Sequence, residues 1–355
     1  MPARWLTRHD LGATGGSASG LLLVAPDLSS VFPLGPADRT ACVRMTGEAL
    51  AAVGVGAADR VVVALAEPAG SLWASAAADV AAAGASVGPR GRMRLHHALT
   101  TLRATTLVAT PTGVMDFLAR LHLEFLLDPL DLGLGHIVLT GEIASKRTMR
   151  HLAGEFGAAV SEAYSSPFSG GALAWRTSEE DPLTPVADGV LGLAALDKDE
   201  PYVGTGPAEL VITAAGHSTL GDAVLRTGQV AADPSASGGL PAPEHTVGEH
   251  VLVRGVWVSL PRLEKALSKI DGVSGWELTI SRAGTLDSAV LTVTFGRQSL
   301  VANPMWQSRI REALRALTPV AIGVDIAPEA AEVARPGLVN DLRGQHLGRD
   351  RALLT

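Results

Sequence analysis

The sequence predicts an α/β protein: a large layered α/β domain with an attached β-meander, followed by a small α+β C-terminal domain. Three observations predict it. Between residues 40 and 166, apolar helical stretches alternate with short β-rich runs, the texture of a largely parallel sheet covered by helices. From about residue 189 the chain turns to successive short strands. After 233–246, a stretch rich in Pro, Ser, Gly and Ala with few apolar anchors, helical and strand periodicities resume to the end. The domains are therefore expected at 1–246 and 247–355, with the linker at 233–246.

The elements follow in order. Val61–Leu65, Thr106–Ala109, His136–Leu139 and Ala158–Val160 are apolar runs of strand length. Between the last two, Ser145 can cap a helix that presents Met149, Leu152 and Phe156 on one face, and Gly157 can end it. That makes a βαβ unit. The meander reads Val190–Leu193, Glu209–Ile212 and Ala223–Arg226. In the C-terminal part, a helix from Pro261 carries Leu263, Ala266, Leu267 and Ile270 at apolar-stripe spacing. Trp276, Leu278 and Ile280 alternate on one strand, and Ala289, Leu291, Val293 and Phe295 on the next. Asn303 caps a second helix with Pro304 at its first position. Its buried face is expected to be Trp306, Ile310, Leu314 and Leu317.

Composition sets exclusions. With 355 residues, 47% hydrophobic and 18% charged, the chain can bury a sizeable core. Its mean hydropathy of +0.25 comes largely from alanine runs such as Ala76–Ala78 and Ala81–Ala83. No window approaches the ~20 apolar residues of a membrane span, and no N-terminal stretch reads as an export signal. Lys and Arg number 29 against 36 Asp and Glu, without a long basic run, so nucleic acid is not an expected partner. The single cysteine, Cys42, forbids an internal disulfide and a multi-cysteine zinc site. A cytoplasmic location and no metal site are expected; Cys42 is read as a small helix residue facing the core.

Four stretches carry a resemblance. They are Ala13-Thr14-Gly15-Gly16-Ser17-Ala18-Ser19-Gly20, Ala163-Tyr164-Ser165-Ser166-Pro167-Phe168, Leu225-Arg226-Thr227-Gly228-Gln229 and Arg254-Gly255-Val256-Trp257-Val258-Ser259-Leu260-Pro261. In this order and spacing, they resemble the phosphate loop, the Tyr-Gly-x-Thr-Glu segment, the Arg-Thr-Gly-Asp segment and the Arg-Gly-Val-Asn-Val-x-Pro run of the phenylacetate–coenzyme A ligase branch of the adenylate-forming (AMP-binding) enzymes. Gly54-Val55 with Asp59-Arg60-Val61, and Leu139-Thr140-Gly141-Glu142, echo two further family segments. The resemblance covers most of the chain. It implies a mobile C-terminal domain and a shortened, diverged member, since the loop-like residues already sit at 13–20.

The resemblance implies nucleotide contacts from Thr14, Gly15, Gly16 and Ser17, from Tyr164 against adenine, and from Arg226 and Gln229. It places the coenzyme A junction at Arg254 and Gly255. Activation with Mg·ATP calls for carboxylates on magnesium and ribose, and for a cation at the reacting oxygens. Here the sequence departs from the family. No glutamate follows Tyr164, and Gln229 stands where the ribose-binding aspartate belongs. Arg335-Pro336-Gly337-Leu338-Val339 replaces the Gly-Lys run, with lysines only at Lys146, Lys198, Lys265 and Lys269. Arg335, Arg343 and Arg349 are the substitute cations at hand, and a guanidinium is not an ammonium.

Three readings stay open. One is a diverged ligase-like enzyme that activates or handles a small-molecule acyl or aryl carboxylate as acyl-adenylate or thioester, with ATP and magnesium held weakly. Another is an enzyme that has given up ATP and acts on a preformed coenzyme A thioester by acyl transfer, condensation or hydrolysis, with His136, Ser165, Ser166 and His250 as candidate groups. The third is a non-catalytic homologue that binds a ligand, a protein partner or another copy of itself. His96, His97 and His245 lack metal-ligand spacing. Glu142 at a strand end suits either a ligand or the cap of the following helix.

Overall fold

A computed structural model describes residues 3–166, 169–234, 239–284 and 286–354. Contacts divide the chain into two units, one of residues 1–24 and 30–244, the other of 25–29 and 245–354. The fold is mixed α/β. In the first unit the elements are β1 (Trp5–Leu6), α1 (Arg8–Thr14), β2 (Leu21–Val24), β3 (Val31–Leu34), α2 (Pro36–Ala52), β4 (Arg60–Ala64), α3 (Ala69–Val80), β5 (Ala83–Ser86), α4 (Arg92–Thr101), β6 (Thr106–Ala109), α5 (Pro111–Arg120), β7 (His136–Leu139), α6 (Lys146–Phe156) and β8 (Ala159–Tyr164). There follow β9 (Ala174–Arg176), β10 (Thr184–Pro185), β11 (Leu191–Ala194), β12 (Ala208–Thr213) and β13 (Val224–Ala231).

The main sheet has the order β10-β9-β8-β7-β6-β4-β5, with β5 to β8 parallel and β9 and β10 added antiparallel. Strands covered on both faces should be continuous apolar runs, and β6 is buried at every position. Helix α6 forms as its signals predict. Ser145 Oγ accepts from Thr148 N at 3.2 Å, Gly157 ends it at φ +61°, and Met149, Leu152 and Phe156 are buried. A second sheet runs β1-β13-β12-β11.

One strand is longer than its apolar run. β8 continues through Ser161 and Glu162 to Tyr164 because Glu162 is paired in register with Arg176 of β9, and their side chains meet at 2.6 Å. An alternation rule stops at such a charge; a partner on the next strand lets the strand continue. Another difference is at the N-terminus. The stretch expected to open as a loop at Ala13 is still helical through Thr14.

The second unit contains β14 (His245–Thr246), β15 (His250–Val253), β16 (Val256–Ser259), α7 (Leu260–Leu267), β17 (Val273–Ala283), β18 (Leu286–Phe295), α8 (Gln298–Val301), α9 (Pro304–Leu317), β19 (Gly323–Ile326) and β20 (Leu338–Asp341). The β17–β18 hairpin is flanked by β19 and β20, each parallel to its neighbour, in the order β19-β18-β17-β20. Trp276, Leu278, Ile280, Ala289, Leu291, Val293 and Phe295 are buried in one cluster with Leu263, Leu267, Trp306, Ile310 and Leu314. Asn303 Oδ1 accepts from Met305 N at 3.0 Å. Ala266 and Leu317 are half-buried, and Ile270 is buried beyond the end of α7.

Candidate functional site

The carboxyl ends of parallel strands are where an open α/β sheet presents ligand groups. At that edge β6 ends in Thr110, whose Oγ1 accepts from Gly113 N at 3.0 Å and caps α5. β7 ends in Thr140-Gly141-Glu142. Glu142 Oε2 accepts from Thr112 N at 3.1 Å and from Thr112 Oγ1 at 2.5 Å. It therefore serves the first turn of the preceding helix, α5, where a carboxylate complements the helix dipole. The following helix is capped by Ser145 instead. β8 ends in Tyr164, Ser165 and Ser166, and Ser165 Oγ lies 2.8 Å from Thr140 Oγ1. Pro167 and Phe168 lie outside the described residues.

Tyr164 is buried in the apolar cluster that includes Leu11, Leu23 and Leu72. Its hydroxyl donates to Gln229 Oε1 at 2.7 Å, and Gln229 is itself only 1% exposed. Burial pushes the Tyr164 pKa well above the usual tyrosine value, so the group is a neutral donor. Gln229 arrives opposite Tyr164 because β13 carries it next to a bulge. Gly228 has φ +75°, the β12–β13 register shifts between Glu209 and Val211, and Gly228 N donates to Glu209 Oε1 at 2.8 Å.

Arg226 lies three residues before Gln229, and its donors are all engaged within the protein. Nη1 donates to Glu209 Oε2 at 2.6 Å, Nε to Asp199 Oδ1 at 3.0 Å, and both Nη atoms to Ala195 O at 3.2 Å. Nη2 also donates to Lys198 O, and the guanidinium lies 5.1 Å from the Trp5 ring. The Thr14–Ser17 hydroxyls are likewise turned inward. Thr14 Oγ1 donates to Leu11 O at 2.8 Å and Ser17 Oγ to Thr14 O at 3.2 Å, closing the end of α1 on itself. Gly15 has helical dihedrals at the C-cap, and Gly16 faces open space.

His136 is at the opposite edge of the sheet, at the start of β7, with Nε2 2.8 Å from Ser161 Oγ. Burial lowers its pKa, with Asp59 acting against the shift. It is not brought together with Ser165 or Ser166. His250 is buried in β15 of the second unit, in register with Ser259.

In that unit Arg254 and Gly255 are the two turn residues between β15 and β16, at φ +50° and +74°. Two residues with positive φ are what a two-residue type I′ hairpin requires. Arg254 tolerates this conformation with its N donating to Asp287 Oδ2 at 3.3 Å and its Nε to Asp287 O at 2.5 Å. The residue is exposed, and its Nη atoms make no hydrogen bond among the described residues.

Of the substitute cations, Arg343 is held by Asp341 and Asp287, and Arg349 by Glu249 and Glu264. Arg335 is exposed, just before β20. The Glu209–Arg226 and Glu162–Arg176 pairs were not legible in the sequence, because each partner lies on a different strand. Among the described residues no three His, Cys, Asp or Glu side chains converge as a metal site, and no helix is long and apolar enough to cross a membrane.

No protein-family profile matches the chain, and no curated protein does. Solved structures match in fold. A 2-hydroxyisobutyryl-CoA ligase, in complex with 2-HIB-AMP and CoA in its thioesterification state, is 16% identical with a TM-score of 0.75, covering 95% of this chain and 80% of that one. The amide bond synthetase McbA from Marinactinospora thermotolerans is 16% identical with a TM-score of 0.63, covering 86% and 64%. The o-succinylbenzoate CoA synthetase MenE from Bacillus subtilis, bound with the product analogue OSB-NCoA, is 11% identical with a TM-score of 0.60, covering 88% and 66%. The chain has the fold of the adenylate-forming ligases.

Proposed function

We propose that the chain is a diverged acyl- or aryl-carboxylate ligase-like protein of the phenylacetate–coenzyme A ligase branch. It handles a small-molecule acyl group as a preformed coenzyme A thioester and does not make an adenylate from ATP. The observation that carries this reading is the Tyr164–Gln229 hydrogen bond of 2.7 Å. It joins the two side chains that the resemblance assigns to adenine and ribose, in a place where both are buried.

The residues present do not fit Mg·ATP. An amide replaces the ribose carboxylate and hydroxyls replace the magnesium carboxylate, so the charge-assisted bonds are gone. Arg226 is engaged by Glu209 and Asp199, and the Thr14 and Ser17 hydroxyls by their own backbone. Arg254 does fit an anionic thioester carrier: it is exposed, with its Nη donors directed to no protein group among the described residues. Fold likeness supports the class of ligand and leaves the activity to experiment.

The test is calorimetric titration of the full chain with Mg·ATP and with benzoyl-CoA. The reading expects saturable benzoyl-CoA binding, weakened about tenfold by Arg254→Ala, the size of one lost hydrogen bond to a charged group, and no saturable heat from Mg·ATP. Saturable Mg·ATP binding with pyrophosphate exchange overturns it in favour of ordinary adenylation.

A further inference from the structure

In the second unit, Asp287 of β18 is paired in register with Arg282 of β17. It is buried, and it gathers three arginines. Its Oδ1 accepts from Arg282 Nε at 2.8 Å, and its Oδ2 from Arg343 Nη1 at 2.5 Å and Arg254 N at 3.3 Å. Its backbone O accepts from Arg254 Nε at 2.5 Å. One residue therefore holds the turn between β15 and β16 beside the end of the β17–β18 hairpin.

The three guanidiniums differ in what they have left to offer. Arg343 is only 3% exposed and fully engaged, with Nε and Nη2 donating to Asp341 and Nη2 also to Leu252 O. It lies between Asp287 and Asp341 and offsets their charge. Arg254 and Arg282 are exposed, and each is fixed through Nε. None of their Nη atoms makes a hydrogen bond among the described residues. Three guanidiniums against two carboxylates leave a positive excess, and the exposed pair presents it to solvent.

A guanidinium tethered at Nε keeps its Nη donors for an acceptor with more than one oxygen. Two like charges set side by side repel, and an anion between them removes that repulsion. A phosphate monoester suits both demands, with three terminal oxygens and close to two negative charges at neutral pH. A carboxylate or a phosphodiester brings a single charge.

We propose that Arg254 and Arg282 form a binding site for a phosphate monoester, with Asp287 as the common anchor that positions both. The source of the monoester rests on the thioester reading above: it is the terminal phosphate of the coenzyme A carrier. Arg282 then shares with Arg254 the recognition of the carrier, and its part is confined to that phosphate.

Calorimetry of the full chain with benzoyl-CoA and benzoyl-dephospho-CoA, at low ionic strength so that exposed charges are little screened, tests the assignment. Benzoyl-CoA is expected to bind about tenfold more tightly than its dephospho form, the size of one charge-assisted hydrogen bond. Arg282→Gln should weaken benzoyl-CoA about tenfold and leave benzoyl-dephospho-CoA unchanged. Arg282→Lys, which keeps the charge without the fork, should recover part of the loss. In both variants Arg254 and Arg343 remain on Asp287. A phosphorus NMR titration supplies the arm that needs no thioester. Inorganic phosphate should bind with a Kd on the order of 1 mM, dimethyl phosphate should not bind, and Arg282→Gln should abolish the phosphate binding. Equal affinity for the two thioesters with Arg282-dependent phosphate binding keeps the site and moves the monoester to a separate ligand. Phosphate binding without binding of either thioester keeps the site and removes the thioester reading. The proposal is overturned if inorganic phosphate binds wild type and Arg282→Gln alike, or not at all, with no preference for benzoyl-CoA over its dephospho form.

Discussion

Arg226 in the first unit and Arg254 in the second both belong to family-like motifs, and the structure uses them in opposite ways. Arg226 is buried, with five hydrogen bonds to four acceptors and an aromatic ring around one guanidinium. Arg254 is exposed at a hairpin tip, anchored only through its N and Nε to Asp287. The same residue type in a matching motif is a structural ion pair in one place and an available cation in the other. A motif match therefore locates a residue without saying whether its donors are free for a ligand. Asp287 makes the second case possible: by pairing with Arg282 and Arg343 as well, it holds the hairpin without drawing in the Arg254 Nη atoms.

The comparison breaks first at Arg226. Arg226→Ala leaves the fully buried Glu209 without its guanidinium, a loss of about 3–5 kcal/mol for a broken buried pair. Urea unfolding should show a large drop in midpoint; a change below about 1 kcal/mol would mean that Arg226 is not structural.

The next effect is in the second unit. Burial pushes the His346 pKa down to about 4 from 6.5, and its Nδ1 lies 3.1 Å from Thr246 Oγ1. The unfolded chain binds this proton more readily. The contribution is thus present above pH 6.5 and is lost as pH falls towards 4, about 3 kcal/mol in all at roughly 1.4 per unit. Unfolding measured at pH 7.5 and pH 4 should show a wild-type slope steeper by that amount than the slope of His346→Asn. Parallel slopes would remove His346 from the account.

Smaller again is Tyr164→Phe. It leaves Gln229 Oε1 without the hydroxyl, at about 1–3 kcal/mol. Because the carboxylates that Mg·ATP calls for are still missing once the bond is gone, the variant should not gain Mg·ATP binding. A gain, read by calorimetry, would mean that the hydrogen bond alone blocks the site. The smallest change is expected from Arg254→Gly: relief of the left-handed backbone offsets the lost Asp287 contact, leaving stability within about 1 kcal/mol. Benzoyl-CoA affinity falls nonetheless, which separates an exposed functional cation from a buried structural one.

Legibility in the sequence followed the range of the interaction. The α6 helix and its flanking strands were readable because cap, stripe and stop are local; Ser145, Met149, Leu152, Phe156 and Gly157 all act within about a dozen residues. β8 was read three residues too short, because the partner that shelters Glu162 is on β9. Neither sequence reading of Glu142, a ligand group or a cap of the following helix, pointed to its partner Thr112, which is 30 residues away in the chain. Strands β19 and β20 were not anticipated at all. They are short, partly exposed edge strands set by pairing to the central hairpin, with β19 also burying Val324 in the cluster that α9 shares.

The sequence by itself determined the α/β layering, the meander, the α+β character of the C-terminal part and the motif order, because those depend on periodicity and on caps and turns a few residues long. Only the tertiary structure decided which motif residues remain available to a ligand. That depends on whether a distant strand delivers a partner: Glu209 to Arg226, Gln229 to Tyr164, and none to the Nη atoms of Arg254 among the described residues. A buried polar group must find its partner within about 3 Å. No local pattern in a chain states who will be there.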